Sequence, residues 1–135
     1  MDLPQNKTLK YSERSWWIVF REAEDPLLRR FTRKGFGHCY AYTHMMNLVI
    51  GVDPMKGTVN HMITDSPFAD MLVAQKEMGY RIVHYRGENN PHKWIVRAPF
   101  LNCASYLAYT MGISFFGITP YQLYKKLIRM GGEEI

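Results

Sequence analysis

Two residues of this chain are of the types from which acyl-transfer chemistry is built, Cys103 and His38. Asn102, just before the cysteine, is a helix-capping residue, and the run from Ala104 to Met111 has helical character until Gly112 stops it. Cys103 is therefore expected in the first turn of a helix. There, unpaired backbone N–H groups and the positive end of the helix dipole favour thiolate over thiol. Thiolate is the reactive form, and the same N–H groups can hold the oxyanion that an attacked carbonyl becomes. On position alone, a small buried core thiol would account for Cys103 equally well.

A nucleophilic thiol needs a base. Of the five histidines, His44 falls in a hairpin turn, His92 in a loop, and His61 and His84 in mid-strand. His38 opens a strand directly after Gly37, whose missing side chain leaves room beside the imidazole. Cys39, one step along, is expected to face the other side of the sheet as a core thiol. A third polar group would orient the imidazole. A hairpin turning on Met45-Met46 pairs His44 with Asn47 and sets His38 directly opposite Asp53, on one face. A one-residue slip would remove Asp53 from that face, and Asp53-Pro54 is also an ordinary turn signal.

Other chemistries fit the residues less well. Cys39, Cys103, His38 and His61 lack the spacing of zinc ligands. Gly35-Phe36-Gly37 reads as a turn, and neither a phosphate-cradling loop nor a dinucleotide fingerprint is present. No single element carries the carboxylate pair of a glycosidase. The reading calls for no metal and no cofactor.

The elements that must position these residues follow from pattern. Trp16 to Phe20 is a β-favouring run; Asp25-Pro26 caps a short helix ending before Gly35. His38 to Thr43 and Leu48 to Asp53 form a hairpin, and Pro54 and Gly57 turn the chain into a third strand, Thr58 to Thr64. Ser66 and Pro67 open a helix with Phe68, Met71, Leu72 and Met78 as its apolar stripe. Tyr80 to Arg86 and Lys93 to Ala98 form a second hairpin. Thr119-Pro120-Tyr121-Gln122 is a capping box whose helix buries Leu123, Tyr124, Leu127 and Ile128. That order predicts an α+β domain, with helices packed on a mostly antiparallel sheet. An arm over residues 1–14 and a tail over 131–135 flank a domain over 15–130.

A chain of 135 residues, 47% hydrophobic and 21% charged, suits one globular domain that needs no staple. Two cysteines are too few for a disulfide framework. One bridge between them stays open, with reduced thiols the better reading. No apolar run has the length of a membrane span, and the N-terminus lacks the apolar core of a signal peptide, so a soluble, intracellular chain is expected. The net charge is +5, with cations clustered at Arg29, Arg30, Arg33, Lys34 and at Lys125, Lys126, Arg129. These read as solvated helix faces rather than a nucleic-acid site, for which no motif is present.

Gly37-His38-Cys39-Tyr40-Ala41, Val52-Asp53-Pro54, Asn102-Cys103-Ala104-Ser105-Tyr106, Gly112-Ile113 and Thr119-Pro120-Tyr121-Gln122-Leu123-Tyr124 together resemble small phage-encoded proteins. The family is the circularly permuted, NlpC-like branch of papain-fold cysteine peptidases, in which the histidine strand precedes the cysteine helix. The resemblance spans roughly residues 36–128. It implies a papain-like (permuted) fold and a thiol hydrolase or acyl transferase acting on amide, ester or thioester bonds, cell-wall peptides among them. By the resemblance Cys103 is the nucleophile, His38 the base and Asp53 the orienting acid. It also implies the host cytoplasm during synthesis, with the virion as a later location. A second expectation keeps the fold but makes it a binding module of a virion or tail assembly. Three tryptophans, nine tyrosines and nine methionines offer interface-type surface. The arm and tail hold too few apolar residues to offset the cost of ordering them, which predicts that they are ordered only through contacts with other chains. A crystal neighbour or a larger assembly, such as phage structural proteins, would serve.

Overall fold

The computed structural model describes residues 14–45, 48–55, 58–65, 67–87, 102–113 and 119–135. Within them run β1 (Arg14–Arg21), α1 (Pro26–Phe31), β2 (His38–Met45), β3 (Leu48–Met55), β4 (Thr58–Thr64), α2 (Phe68–Glu77), β5 (Arg81–Gly87), α3 (Cys103–Thr110), α4 (Pro120–Arg129) and β6 (Glu133–Glu134). The six strands make one antiparallel sheet, ordered β4-β3-β2-β1-β5-β6. The expected α+β architecture is present. The strand expected over Lys93–Ala98 lies outside the described residues, as does the arm, save that Arg14 already pairs in β1.

β1 is apolar on both faces, and a strand of that kind belongs mid-sheet with cover on both sides. Trp16, Ile18 and Phe20 join Cys39, Ala41 and Val83 on one face, against α3 and α4 through Ala104, Leu107, Ala108, Leu123 and Leu127. On the other face Val19, Tyr42, Val49 and Ile82 meet Phe68, Met71 and Leu72 of α2. Full burial of each large aliphatic or aromatic side chain stabilises the fold by about 1.5–3 kcal/mol. Adjacent Trp16 and Trp17 part to opposite faces, as alternation requires. Trp17 is covered by Phe68, edge to face at 4.6 Å, and stacks on His84 at 4.7 Å.

Several expected boundaries move. α2 begins at Phe68 with Pro67 in the cap position, while Ser66 lies outside the described residues. Met78 follows the last helical residue and is exposed, so it leaves the apolar stripe. In α4 the stripe is narrow: Leu123 and Leu127 are buried, whereas Ile128, one step further round, faces solvent. Pro54 continues β3 and pairs with Val59 instead of turning the chain. The β2–β3 ladder stops at Ala41 and Val52, so the missing N–H of Pro54 has no strand to serve on that side. No helix among the described residues is long and apolar enough to cross a membrane.

The tail expectation is overturned. Glu133 and Glu134 pair with His84 and Val83 as β6, and the Ile135 N–H donates to Ile82 O at 3.0 Å. Arg81 and the Tyr124 hydroxyl both reach the Glu134 carboxylate. Backbone pairing and side-chain anchors on the same chain supply what apolar composition lacks.

Candidate active site

His38 is set by the connection before it. The Gly37 N–H donates to Arg21 O at 2.9 Å, closing the β1–β2 link. A Cβ at Gly37 would collide with the backbone of Ala23, so only glycine lets the two segments approach this closely. His38 then starts β2 opposite Arg21.

Asp53 comes from the neighbouring strand. Met45 pairs with Leu48, one step later than a turn on Met45-Met46 would give, so the register shifts by two residues and Val52, not Ile50, faces Ala41. A two-residue shift preserves the face of every side chain, and a one-residue slip would have reversed it. Asp53 therefore stays on the His38 side, but as its diagonal rather than its direct neighbour. Beyond the end of the β2–β3 ladder the two side chains close the gap, with His38 Nε2 2.6 Å from Asp53 Oδ1. The imidazole is mostly buried and the carboxylate about a third exposed.

Cys103 is the first residue of α3. Asn102, in extended backbone, caps the helix: the Ser105 N–H donates to Asn102 Oδ1 at 2.9 Å and the Asn102 N–H to Ser105 Oγ at 2.9 Å. Ala104, Leu107 and Ala108 pin α3 to the sheet face that carries Cys39, Ala41 and Val52. The first turn of the helix thereby stands over the start of β2.

The Cys103 side chain packs against the core cluster that holds Cys39, and Cys39 and His38 are the groups that set its titration. Its pKa falls to about 5, first through a side-chain hydrogen bond from Cys39. Burial opposes the shift, while hydrogen bonding and charge from His38 and a bond from the Cys39 backbone N–H reinforce it. For His38 burial is the largest influence and pushes downward. Its bonds to Asp53 and Cys103 and their negative charges outweigh it, raising the pKa to about 9. Between these values the site is a thiolate–imidazolium pair. Cys39 is fully buried, and burial first, then the Cys103 thiolate, pushes its thiol well above the ordinary range.

Cys39 is a core thiol, as expected, and its place in the cluster on which Cys103 packs is what sequence reasoning left out. Alternation does put His38 and Cys39 on opposite faces, and α3 covers the Cys39 face. His38 is the first residue of its strand, at the end of the sheet on which α3 begins. The adjacency of a candidate base to a second cysteine was the available signal.

The other histidines stand apart. His44 and His61 are exposed, His92 lies outside the described residues, and His84 stacks on Trp17. A groove of about 430 Å³ borders Asp53 on the α2 side, walled by Tyr40, Tyr42, Tyr80, Asn60 and Arg21. Cys103 and His38 are not among its described walls. Among the described residues no group of three histidine, cysteine or carboxylate side chains could hold a metal ion. The chain matches no family model, no curated protein and no solved structure.

Proposed function

We propose that this chain is a papain-like thiol hydrolase that cleaves amide, ester or thioester bonds, with Cys103 as nucleophile, His38 as acid and base, and Asp53 holding the imidazole. One observation carries the reading: Cys103 opens a capped helix with its thiol held low by His38, and the His38 Nε2 lies 2.6 Å from the Asp53 carboxylate. The sequence resemblance to permuted NlpC-like peptidases points the same way. In this reading the thiolate attacks the carbonyl carbon, and the first-turn N–H groups of α3 face the developing oxyanion. The imidazolium gives its proton to the leaving group. Neutral His38 then takes a proton from water, which displaces the acyl group from sulfur. Asp53 stabilises the imidazolium and fixes its ring, so that the other nitrogen serves Cys103.

The test is labelling with an acyl ester probe, followed by peptide mapping and mass. An acyl adduct on Cys103, absent in Cys103→Ala and formed about 10²–10⁴-fold more slowly in His38→Ala, is the expected result. Adducts spread over surface nucleophiles, or a rate indifferent to His38, would remove the enzyme reading. The binding-module alternative rested partly on a tail held by another chain, and β6 pairs with its own sheet instead.

A further inference from the structure

We propose that Cys39 is a resolving thiol for Cys103: once a hydroperoxide has oxidised Cys103, Cys39 closes a disulfide with it and reversibly silences the nucleophile. The inference rests on the reading of Cys103 as a reactive thiolate and adds to it a means of regulation. Three features of the geometry support it. Cys103 packs against the core cluster that contains Cys39, across the seam where the first turn of α3 lies on β2. Cys103 is partly exposed and open to a small oxidant, while Cys39 has no exposed surface. Cys39 is therefore shielded from oxidants in solution, and the sulfur beside it is its natural reaction partner.

The chemistry closes without other reagents. The Cys103 thiolate attacks one peroxide oxygen; the S–O bond forms, the O–O bond breaks, and the alkoxide or hydroxide released takes the proton of His38. Sulfur is oxidised by two electrons and the peroxide reduced by two, leaving Cys103 as sulfenic acid. The Cys39 sulfur then attacks the Cys103 sulfur. The S–S bond forms, the S–O bond breaks, and the departing hydroxide combines with the Cys39 proton as water. Burial keeps Cys39 a weak acid, which slows this step, but part of its upward shift comes from the Cys103 negative charge, and oxidation abolishes that charge. Proximity supplies the remainder, since two reacting groups held together act at an effective concentration far above any in solution. Without Cys39 the sulfenic acid would continue to sulfinic acid, which is not readily reversed.

The experiment treats the intact chain with hydrogen peroxide, blocks free thiols with iodoacetamide and reads mass and peptide linkage. The expected product has lost two hydrogens, resists alkylation at both cysteines, yields a peptide joining Cys39 to Cys103, and regains full alkylation of Cys103 after dithiothreitol. In Cys39→Ser the expected outcome changes to a Cys103 sulfenic acid trapped by a cyclic 1,3-dione, proceeding to sulfinic acid. Accumulation of Cys103 sulfinic acid in the wild-type chain, with Cys39 still a thiol, would overturn the proposal. The wild-type result decides the matter even if the variant does not fold. No substrate is used, so absence of hydrolysis with a disulfide formed would sink only the enzyme reading, and the reverse pattern only this one.

Discussion

At neutral pH the Cys103–His38 pair holds as many protons in the folded chain as in the unfolded one, but on the other partner. Unfolded, cysteine titrates near 9.0 and histidine near 6.5; folded, the values are about 5 and about 9. Taken alone, His38 is raised, so its contribution to stability is complete below 6.5 and is lost as pH rises through about 9. Cys103 alone is depressed, so its contribution is present above 9.0 and is lost as pH falls through about 5. Between 6.5 and 9 the two slopes oppose each other. Below 6.5 the unfolded chain binds one proton more, so stability falls as pH drops toward 5. The expected melting temperature from this pair therefore rises from pH 5 to 6.5 and then stays level. Cys103→Ala should abolish the fall in stability between pH 6.5 and 5, because the depressed thiol that causes it is gone. A level profile over that range in the wild type would mean that the Cys103 thiol is not depressed in the fold.

The sulfur itself offers a second reading. Alkylation of Cys103 should follow a midpoint near 5 in the wild type, and Cys39→Ala and His38→Ala should each move it upward, because each removes a stabiliser of the thiolate. Cys39 should stay unlabelled while the chain is folded. Asp53→Asn should leave the lower limb near 5 and bring the basic limb of any hydrolysis profile to lower pH, since the Asp53 bond is the largest influence raising His38. An unchanged basic limb would take Asp53 out of the site.

Among the elements, α3 and the β1–β2 link have most to do with placing the reactive groups. Asn102→Ala removes the reciprocal bonds of the capping box and should cost about 1 kcal/mol in denaturant unfolding. Gly37→Ala drives a methyl into Ala23 and should cost about 1–3 kcal/mol while displacing His38, which would show as a raised Cys103 alkylation midpoint. Element existence was legible where local chemistry is strong. The Asp25, Asn102 and Thr119 caps mark α1, α3 and α4 as they stand. Asp53 was placed on the right face through a register that was off by two, because parity, not the exact partner, decides the face. The packing of Cys103 on the cluster that holds Cys39 was not legible, since it depends on where α3 docks and that is a long-range packing outcome. β6 was missed for a related reason: Glu133 and Glu134 have little strand character, and their pairing depends on where β5 lies.

At the scale of the molecule, β6 is the edge strand beside β5 among the described residues. Deleting residues 133–135 removes the pairing to β5 and both contacts of Glu134, and should lower stability by about 1–2 kcal/mol, several degrees in melting temperature. The bared β5 edge should also show concentration-dependent self-association. Unchanged melting and a monomer at all concentrations would show that β6 contributes nothing. The two cationic clusters, far apart in sequence, meet around one ring: Arg33 lies 4.2 Å and Lys125 5.0 Å from the centre of Tyr121. Near them α1 holds Leu27, Leu28 and Phe31 largely in solvent.

The site draws its parts from very different distances along the chain. His38 and Asp53 sit on adjacent strands of one hairpin, a structure that forms in about 1–10 μs. Cys103 must wait for a far longer loop to close before α3 can dock. The proposed base and its carboxylate are therefore expected to meet first during refolding, with Cys103 titrating as an ordinary thiol until α3 docks. Its alkylation rate at mildly acid pH is consequently a chemical clock for docking. A chain that stalls short of that step is protected from its own reactivity.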